Sequence, residues 1–322
     1  MIVTITLNPA IDIAYKVNHF RIGHGHRVER GRKTAGGKGL NVSRVLKRLG
    51  DSPVCTGFLG GINGKWIMDQ LEHEGLDQTF IEIKDETRDE NMSCLFRDEE
   101  NGNQTELMEK GPFVSAEEQE EFEETLKQLM SEASLIIASG SLVSGIPVSY
   151  YREISEWAHA ARIPILLDTS GEALEKGIEG KPFLIKPNKA ELCKYMNQAN
   201  LSIDELIAAA KNICAQGVRY VLLSLGKDGA ILVGDDPILV GDDQILRAEI
   251  PAVPVVNAVG SGDSMVAGMA YGLQKKYSLE DCLKWACACG IANAMEWETG
   301  TIQPHAVQEL LEKIQIKQEA KL

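Results

Sequence analysis

Short apolar runs alternate along the chain with longer stretches of helical periodicity, most regularly after residue 135. The runs that have the length of buried strands are 2–7, 135–138, 163–167, 183–185 and 220–225. Strands that alternate with helices form a mostly parallel sheet with helices on both faces. The pattern therefore predicts an α/β fold, with further helices from Ser278 onward and with the ligand site at the carboxyl ends of the strands.

Two segments, at 12–35 and roughly 82–109, break this alternation. Both have the polar, half-exposed pattern of strands outside a parallel core, and Asn101-Gly102 in the second is typical of a hairpin turn. They predict a small β-sheet that projects from the main sheet and serves as a lid or as the surface of a homodimer. No internal repeat or linker divides the chain, so residues 1–322 are predicted to form a single domain.

The charge balance narrows the range of partners. The chain has 33 Lys and Arg against 47 Asp and Glu, a net charge of −14, which argues against nonspecific binding to nucleic acid or to an anionic membrane. No apolar run approaches the ~20 residues of a membrane span. Seven scattered cysteines and the absence of a secretory leader predict a cytoplasmic protein.

Basic residues nevertheless gather at 27–48, where Glu29 is the single acid. A cluster this one-sided in an acidic chain indicates attraction of a small anion. Its eight members are Arg27, Arg30, Arg32, Lys33, Lys38, Arg44, Lys47 and Arg48.

The most informative stretch for chemistry is Gly260-Ser261-Gly262-Asp263, which leads into a helix predicted for 264–275. Its first three residues allow the backbone to approach a ligand and to direct N–H groups at one point, and the start of the helix adds positive potential. This combination suits a phosphoryl group that gains charge during transfer. Asp263 then lies where it can accept a proton from an attacking hydroxyl, and a simple helix cap is the alternative.

A second glycine-rich stretch, 34–44, also precedes a predicted helix. It has neither the Walker spacing of a P-loop nor the glycine pattern of a dinucleotide-binding turn. Glycines combined with a cation, Lys38, and an amide, Asn41, suit a polar or anionic ligand, and a tight turn is the alternative. After the strand at 135–138, Ser139 is likewise either a sugar contact or part of a turn.

A third candidate stands at the start of another predicted helix, where Asn188 and Glu191 are three residues apart. This spacing places both side chains on one face, near the positive end of the helix. They suit a hydrated Mg²⁺ beside phosphate groups, because Mg²⁺ usually keeps several waters and takes few protein ligands. A reciprocal capping pair is the alternative.

The two glycine-rich stretches together resemble the paired signatures of the ribokinase/PfkB carbohydrate kinases. Gly-Gly-Lys-Gly-Leu-Asn at 36–41 stands over two hundred residues before Gly-Ser-Gly-Asp-Ser at 260–264. Further agreement lies at Asp12, at Asn188-x-x-Glu191 and at Ser224-Leu-Gly226. The resemblance covers essentially the whole chain.

Other stretches are similar to the phosphohexose branch of that family, the tagatose-6-phosphate kinases and 1-phosphofructokinases. They include Leu-Asn-Pro-Ala-Ile-Asp at 7–12 and Glu-Thr-Arg at 86–88. The chain departs from many 1-phosphofructokinases just after this point, where Asp89 and Glu90 precede Asn91.

The resemblance implies a ribokinase-like fold, with a mostly parallel sheet, helices on both faces and a small β lid. It also implies phosphoryl transfer from ATP, with Mg²⁺, to a sugar-phosphate hydroxyl. Asp263 would be the base, and Gly260, Ser261 and Gly262 the anion hole. The residues implied for the sugar hydroxyls are Asp12, Gly36, Gly37, Asn41 and Ser139. Those implied for the phosphate of the substrate are Arg27, Lys38 and Arg88. Those implied for the nucleotide are Lys186, Asn188, Ser224, Gly226, Gly260 and Gly262. Glu191, and Asn188 through water, would hold the metal.

Tagatose 6-phosphate, converted to tagatose 1,6-bisphosphate, is the favoured acceptor, because the stretch at 34–42 and the departure after Arg88 fit that branch better. Fructose 1-phosphate, converted to fructose 1,6-bisphosphate, is the alternative. A neutral sugar or nucleoside kinase would leave Arg27, Lys38 and Arg88 without an anion to bind. A noncatalytic sugar-phosphate sensor on the same fold would have no use for a base at Asp263.

Overall fold

The computed structural model describes residues 1–17, 21, 23–28, 31–88, 94–98, 104–107, 109–235 and 243–319. The departure at 89–91, the Asn101-Gly102 turn and Arg30 of the basic cluster lie outside them. The strands of the described residues are β1 (Ile2–Thr6), β2 (Ala10–Val17), β3 (Arg32–Gly36), β4 (Val54–Gly60), β5 (Asp77–Ile83), β6 (Cys94–Asp98), β7 (Gln104–Leu107), β8 (Leu135–Ser139), β9 (Ile165–Asp168), β10 (Leu184–Ile185), β11 (Tyr220–Ser224), β12 (Ala230–Asp235), β13 (Asp243–Glu249) and β14 (Gln315–Gln318). The helices are α1 (Lys38–Arg48), α2 (Gly61–His73), α3 (Ala116–Met130), α4 (Tyr150–Ala160), α5 (Glu172–Glu179), α6 (Lys189–Tyr195), α7 (Ile203–Ala215), α8 (Ser261–Gln274), α9 (Leu279–Ala294) and α10 (Pro304–Lys313).

The main sheet has the strand order β14-β13-β12-β11-β10-β9-β8-β1-β4-β5. Every neighbouring pair from β11 to β5 is parallel. The three strands beyond β11 continue the sheet in antiparallel pairs. The apolar runs of the sequence correspond to β1, β8, β9, β10 and β11, so the predicted mostly parallel α/β sheet is confirmed.

The strand order reverses between β1 and β8. The chain moves outward from β1 to β4 and β5, then returns to the opposite side of β1 and continues through β8 and β9. In open α/β sheets, ligands bind outside the carboxyl ends of the strands at such a switch point. This topology directs attention to the loops that follow β1, β8 and β9.

Helices cover both faces of the sheet, which explains why its central strands are apolar throughout. β8 is buried along its whole length. On one face, Phe122 of α3 and Tyr150 of α4 belong to the larger core. On the other face, Val45 of α1 and Met269 of α8 belong to a second core. α8 also packs closely on α9, because a Cβ at Gly268 would lie 2.9 Å from the Cα of Ala286.

A second, smaller sheet has the order β3-β2-β6-β7. β2 pairs antiparallel with β3 and parallel with β6, and β6 pairs antiparallel with β7. One face of β2 and β3 contributes Ile11, Ile13 and Ala35 to a third core that includes Ile67 of α2. These strands come from the two polar segments, so the prediction of a small sheet fitting a lid is confirmed.

Two boundaries differ from the predictions. α8 begins at Ser261 rather than at 264, because Gly260 adopts a left-handed backbone conformation, with φ of 81°, and serves as the N-cap. The chain also does not continue as helix after α10, since Gln315–Gln318 pairs with β13 as an edge strand. This segment has too few alternating apolar residues for the sequence to distinguish a strand from a helix, which explains the second error.

No helix among the described residues combines the length and the hydropathy that crossing a membrane requires.

Candidate active site

A cleft of about 710 Å³ opens at the switch point of the main sheet. The residues that follow β1, β8, β9, β10 and β11 form one wall, and the small sheet forms the opposite wall. The first turns of α1 and α8 lie between them. Two helix N-termini therefore direct N–H groups into a space bounded by strand ends.

The start of α8 forms the backbone part of the site. A side chain at Gly260 would be crowded, because a Cβ there would lie 2.5 Å from the Cγ2 of Thr299 and 3.1 Å from the backbone nitrogen of Gly300. Gly262 lies beside a cation, since a Cβ at that position would be 3.1 Å from the Nζ of Lys186. The first N–H groups of a helix have no intrahelical partners, so this turn presents donors next to a positive charge. The N–H of Ser261 donates to the carbonyl of Ala258 at 3.2 Å, and the role of residues 260–262 as an anion hole stays a prediction.

Asp263 lies within the first turn of α8 and is 6% exposed. Its Oδ2 accepts a hydrogen bond of 2.8 Å from the Nδ2 of Asn41. Burial raises the pKa of Asp263 to about 6, although Lys38 lowers it and Asp168 raises it further. Because Gly260 caps the helix, the alternative in which Asp263 is the N-cap is wrong.

The orientation of Asn41 is determined by a second contact on the same side chain. Its Oδ1 accepts a 3.0 Å hydrogen bond from Arg44, so its Nδ2 is left to donate to Asp263. Arg44 is buried, and it also donates to Glu74 at 2.7 Å and to the carbonyl of Ala35. A member of the basic cluster thus acts inside the fold and holds the amide that contacts the carboxylate.

Asp168, at the end of β9, lies between two lysines. Its Oδ1 is 3.5 Å from the Nζ of Lys38 and 3.3 Å from the Nζ of Lys186. Burial raises the pKa of Asp168, but Lys186 and Lys38 outweigh burial and hold it below its ordinary value. Asp168 in turn raises the pKa of Lys38. The sequence reasoning missed Asp168, and its one signal was an acid directly after an apolar strand.

Asn188 and Glu191 cap α6 reciprocally, as the capping alternative predicted. The Oδ1 of Asn188 accepts from the Glu191 N–H at 2.8 Å, and the Oε2 of Glu191 accepts from the Asn188 N–H at 2.8 Å. Both residues also line the cleft, as does Ser224. Capping and ligand binding are compatible here, because each bond leaves further lone pairs on the two side chains.

The sugar-side candidates Asp12, Gly37, Lys38 and Asn41 all line the cleft. Gly36 lies behind them, and a Cβ there would overlap the carboxylate of Asp12. Gly37 has φ of 124° and is the N-cap of α1. These two glycines therefore allow the small sheet and α1 to meet at Asp12.

The other candidates occupy different places. Arg88 lines the cleft and donates to the carbonyls of Asn8 at 2.7 Å, Pro9 at 3.4 Å and Glu109 at 3.4 Å. Ser139 is fully buried, and its neighbours Gly140 and Ser141 line the cleft instead. The residues that the structure does not bring to the cleft lining are Arg27, which is exposed, and Gly36, Ser139, Gly226 and Ser261.

A glycine-rich helix start beside a buried carboxylate, at the switch point of an α/β sheet, is the arrangement expected of a phosphotransferase that acts on an alcohol group. The sequence comparison agrees: the model of the pfkB family of carbohydrate kinases matches residues 3–306. The chain therefore belongs to the pfkB family.

Individual relatives are similar over nearly the whole chain. The tagatose-6-phosphate kinase of Staphylococcus epidermidis is 40% identical over 319 residues, which cover 98% of this chain and 99% of that protein. The tetrameric inhibited form of phosphofructokinase-2 from Escherichia coli is 28% identical, with a TM-score of 0.85 over 97% of this chain and 98% of that one. The ribokinase of Arabidopsis thaliana, solved with ribose and ATP, has a TM-score of 0.75 at 19% identity over 97% of this chain and 98% of that one, which shows the ribokinase-like fold.

Proposed function

We propose that the chain transfers the terminal phosphoryl group of ATP to tagatose 6-phosphate and makes tagatose 1,6-bisphosphate. The observation that carries the proposal is the buried pair of Asp263 and Asn41 beside the glycine-rich turn of α8. The acceptor is taken from the relative that is 40% identical over 98% of the chain.

In this proposal Asp263 accepts the proton of the attacking sugar hydroxyl. The hydroxyl oxygen forms a bond to the terminal phosphorus while the bond to the ADP oxygen breaks, and the proton moves to the carboxylate. General base catalysis of this kind contributes about 10²–10⁴ in rate. A pKa of about 6 suits the task, because the carboxylate is mostly ionised at neutral pH and is more basic than an ordinary aspartate.

The N–H groups of Gly260 and Gly262 would stabilise the charge on the transferred group, and Lys186 beside Gly262 would add a cation. Preorganised donors of this kind contribute about 10²–10³ each. Asn188, Ser224 and Gly226 are proposed for the nucleotide side. Gly226 lies in the turn after β11, next to the strand end that lines the cleft.

The donor set fits a Mg²⁺ ion. The Oδ1 of Asp168 is paired with Lys186 and Lys38, whereas its Oδ2 is buried without a hydrogen-bond partner among the described residues, and Glu191 lines the same cleft. No group of three or more His, Cys, Asp or Glu able to hold a metal occurs in the part of the chain that the structure describes. Mg²⁺ usually keeps several waters and takes few protein ligands. Glu191, and Asn188 through water, would hold Mg²⁺, which neutralises phosphate charge when bound.

At the sugar end, Asp12, Gly36, Gly37, Asn41 and Ser139 are proposed for the hydroxyls. Arg27, Lys38 and Arg88 are proposed for the phosphate of the substrate. The cleft position of Asp12, Lys38 and Arg88 supports these roles, whereas the roles of Arg27 and Ser139 stay predictions. The single domain, the homodimer through the lid and the cytoplasmic location also stay predictions.

A coupled assay of ADP formation tests the acceptor. Tagatose 6-phosphate, fructose 1-phosphate, fructose 6-phosphate, fructose and ribose are compared at equal enzyme and Mg-ATP. The proposal expects the highest kcat/KM with tagatose 6-phosphate. A higher value with fructose 1-phosphate would instead establish the 1-phosphofructokinase alternative, and a higher value with fructose or ribose would establish a neutral-sugar kinase. No ADP formation with any acceptor would favour the noncatalytic sensor.

A further inference from the structure

An ion pair crosses the mouth of the cleft. Arg32 on β3 donates through its Nε to the Oε1 of Glu298, which lies in the segment after α9. Beside it, the Nζ of Lys16 on β2 lies 4.7 Å from the ring centroid of Trp297. Both contacts join the small sheet to the segment 297–298, and Arg32, Trp297 and Glu298 all line the cleft.

Arg32 stands on the same face of the small sheet as Asp12. In the register of β2 and β3, Asp12 is opposite Thr34 and Ala14 is opposite Arg32. Side chains two positions apart on a strand point to the same face, and diagonal neighbours across a strand pair are about 7–8 Å apart. This separation is comparable with the distance from a ring hydroxyl of a ketohexose phosphate to its phosphate.

The other cations of the cleft lining have buried partners. Lys38 and Lys186 share Asp168, which is 1% exposed. Arg88 directs its guanidinium at three backbone carbonyls. The side chain of Arg32 is 63% exposed and that of Glu298 is 25% exposed. The side chain of Lys38 is 39% exposed and that of Lys186 is 5% exposed. Of these three cations, Arg32 is therefore the most accessible to solvent and to an incoming anion.

A phosphate monoester can replace Glu298 at this guanidinium. It carries a charge of about −1.5 to −2 at neutral pH, against −1 for a carboxylate, and it offers three acceptor oxygens. Arginine is suited to such groups because its planar guanidinium donates two parallel hydrogen bonds. An exposed ion pair is weak, so its replacement costs little.

We propose that Arg32 binds the phosphate of the acceptor sugar and that Glu298 occupies the guanidinium until the sugar phosphate displaces it. Arg32 is thus a specificity-determining residue for phosphorylated over neutral sugars. This assignment rests on the proposed function in one respect, which is that the acceptor carries a phosphate group.

The test is the Kd of tagatose 6-phosphate, measured by calorimetry on the full chain without nucleotide. Arg32→Gln should raise the Kd about tenfold to a hundredfold, as expected for the loss of a hydrogen bond between charged groups. Glu298→Gln should lower the Kd about twofold to fivefold, because it frees the guanidinium. Lys33→Gln is the matched control, since it removes an equal charge from an exposed neighbouring position that does not line the cleft, and should leave the Kd nearly unchanged.

The opposite Kd changes expected for Arg32→Gln and Glu298→Gln distinguish binding of the phosphate by Arg32 from mere closure of the lid. If the ion pair only holds the small sheet against the segment 297–298, both variants should shift the Kd in the same direction. That result would overturn the assignment. An equal effect of Lys33→Gln would overturn it as well, because the effect would then be long-range charge. ADP formation is followed in parallel: its absence in the wild type contradicts the proposed kinase, whereas an unchanged Kd in Arg32→Gln with normal ADP formation contradicts only the role of Arg32.

Discussion

Replacing Asp263 with Asn should remove most of the activity while leaving the fold intact. The amide is nearly the same size as the carboxylate, and its oxygen can still accept the hydrogen bond that Asn41 donates to Oδ2. It cannot accept the proton of the sugar hydroxyl. We therefore expect kcat to fall about 10²–10⁴-fold, with little change in the KM for ATP.

The same substitution should stabilise the protein. The difference between the ordinary pKa of 3.8 and the raised value of about 6 corresponds to about 3 kcal/mol, which is the cost of holding this charge in the fold at neutral pH. Lys38 loses an attractive neighbour in the variant, so about 3 kcal/mol is an upper limit to the gain.

The sign of the pH dependence follows from the raised pKa. The folded state holds the proton of Asp263 more tightly than the unfolded state, so this stabilisation is fully present below pH 3.8 and is lost as the pH rises through about 6. The stability difference between variant and wild type should therefore be largest above pH 6 and should vanish near pH 4. The kcat/KM of the wild type should fall about tenfold per pH unit below about pH 6.

Urea unfolding at several pH values measures the stability difference, and a coupled assay measures turnover. Asp204→Asn is the matched control, because Asp204 is exposed in the first turn of α7. It should leave kcat unchanged. A variant at position 263 with near-normal kcat would show that Asp263 is not the base, and an unchanged free energy of unfolding at pH 7 would refute the assignment of a costly buried charge.

Substitutions at three positions, Asn41, Gly260 and Asp168, probe the groups around this carboxylate. Asn41→Ala removes a hydrogen bond that lowers the pKa of Asp263, so the acidic limb of kcat/KM should move to higher pH, whereas Asn41→Asp should also depress kcat by placing a second acid there. Gly260→Ala forces a side chain into a backbone at φ of 81° and against Gly300, and should lower kcat by about tenfold or more with a smaller change in the KM for the sugar. Asp168→Asn removes the shared partner of Lys38 and Lys186 and should destabilise the protein by about 3–5 kcal/mol in urea unfolding, against less than about 1 kcal/mol for the exposed pair lost in Arg152→Gln.

The main sheet was predictable because buried parallel strands leave a direct trace in the sequence. Runs such as 135–138 are apolar on both faces, and the structure has β8 at that place. The edge strand β14 left no such trace. Its residues are mostly exposed, and it forms only because β13 offers an unpaired edge. The local periodicity of the sequence does not reveal long-range strand pairing of that kind.

The candidate site was predictable where function depends on backbone conformation. Gly260 and Gly37 both adopt positive φ, which few other residues tolerate, and both mark the start of a helix at the cleft. Asp168 and Arg44 were missed for a different reason. Asp168 contacts Lys38 and Lys186, and Arg44 contacts Asn41 and Glu74. Nothing in the local sequence pattern shows that these side chains meet.

The basic cluster indicated the right region of the molecule, but only some of its members line the cleft. Of its described members, Lys38 and Arg32 line the cleft, whereas Arg44 is buried inside the fold and Arg27 is exposed elsewhere. Four basic and six acidic side chains line the cleft, so its formal charge does not attract ATP or a sugar phosphate. Anion binding must then depend on directed donors, such as the N–H groups at the start of α8, and on a cation that accompanies the nucleotide. Because directed donors act only at short range, this cleft should recognise the position of each phosphate more strongly than its charge.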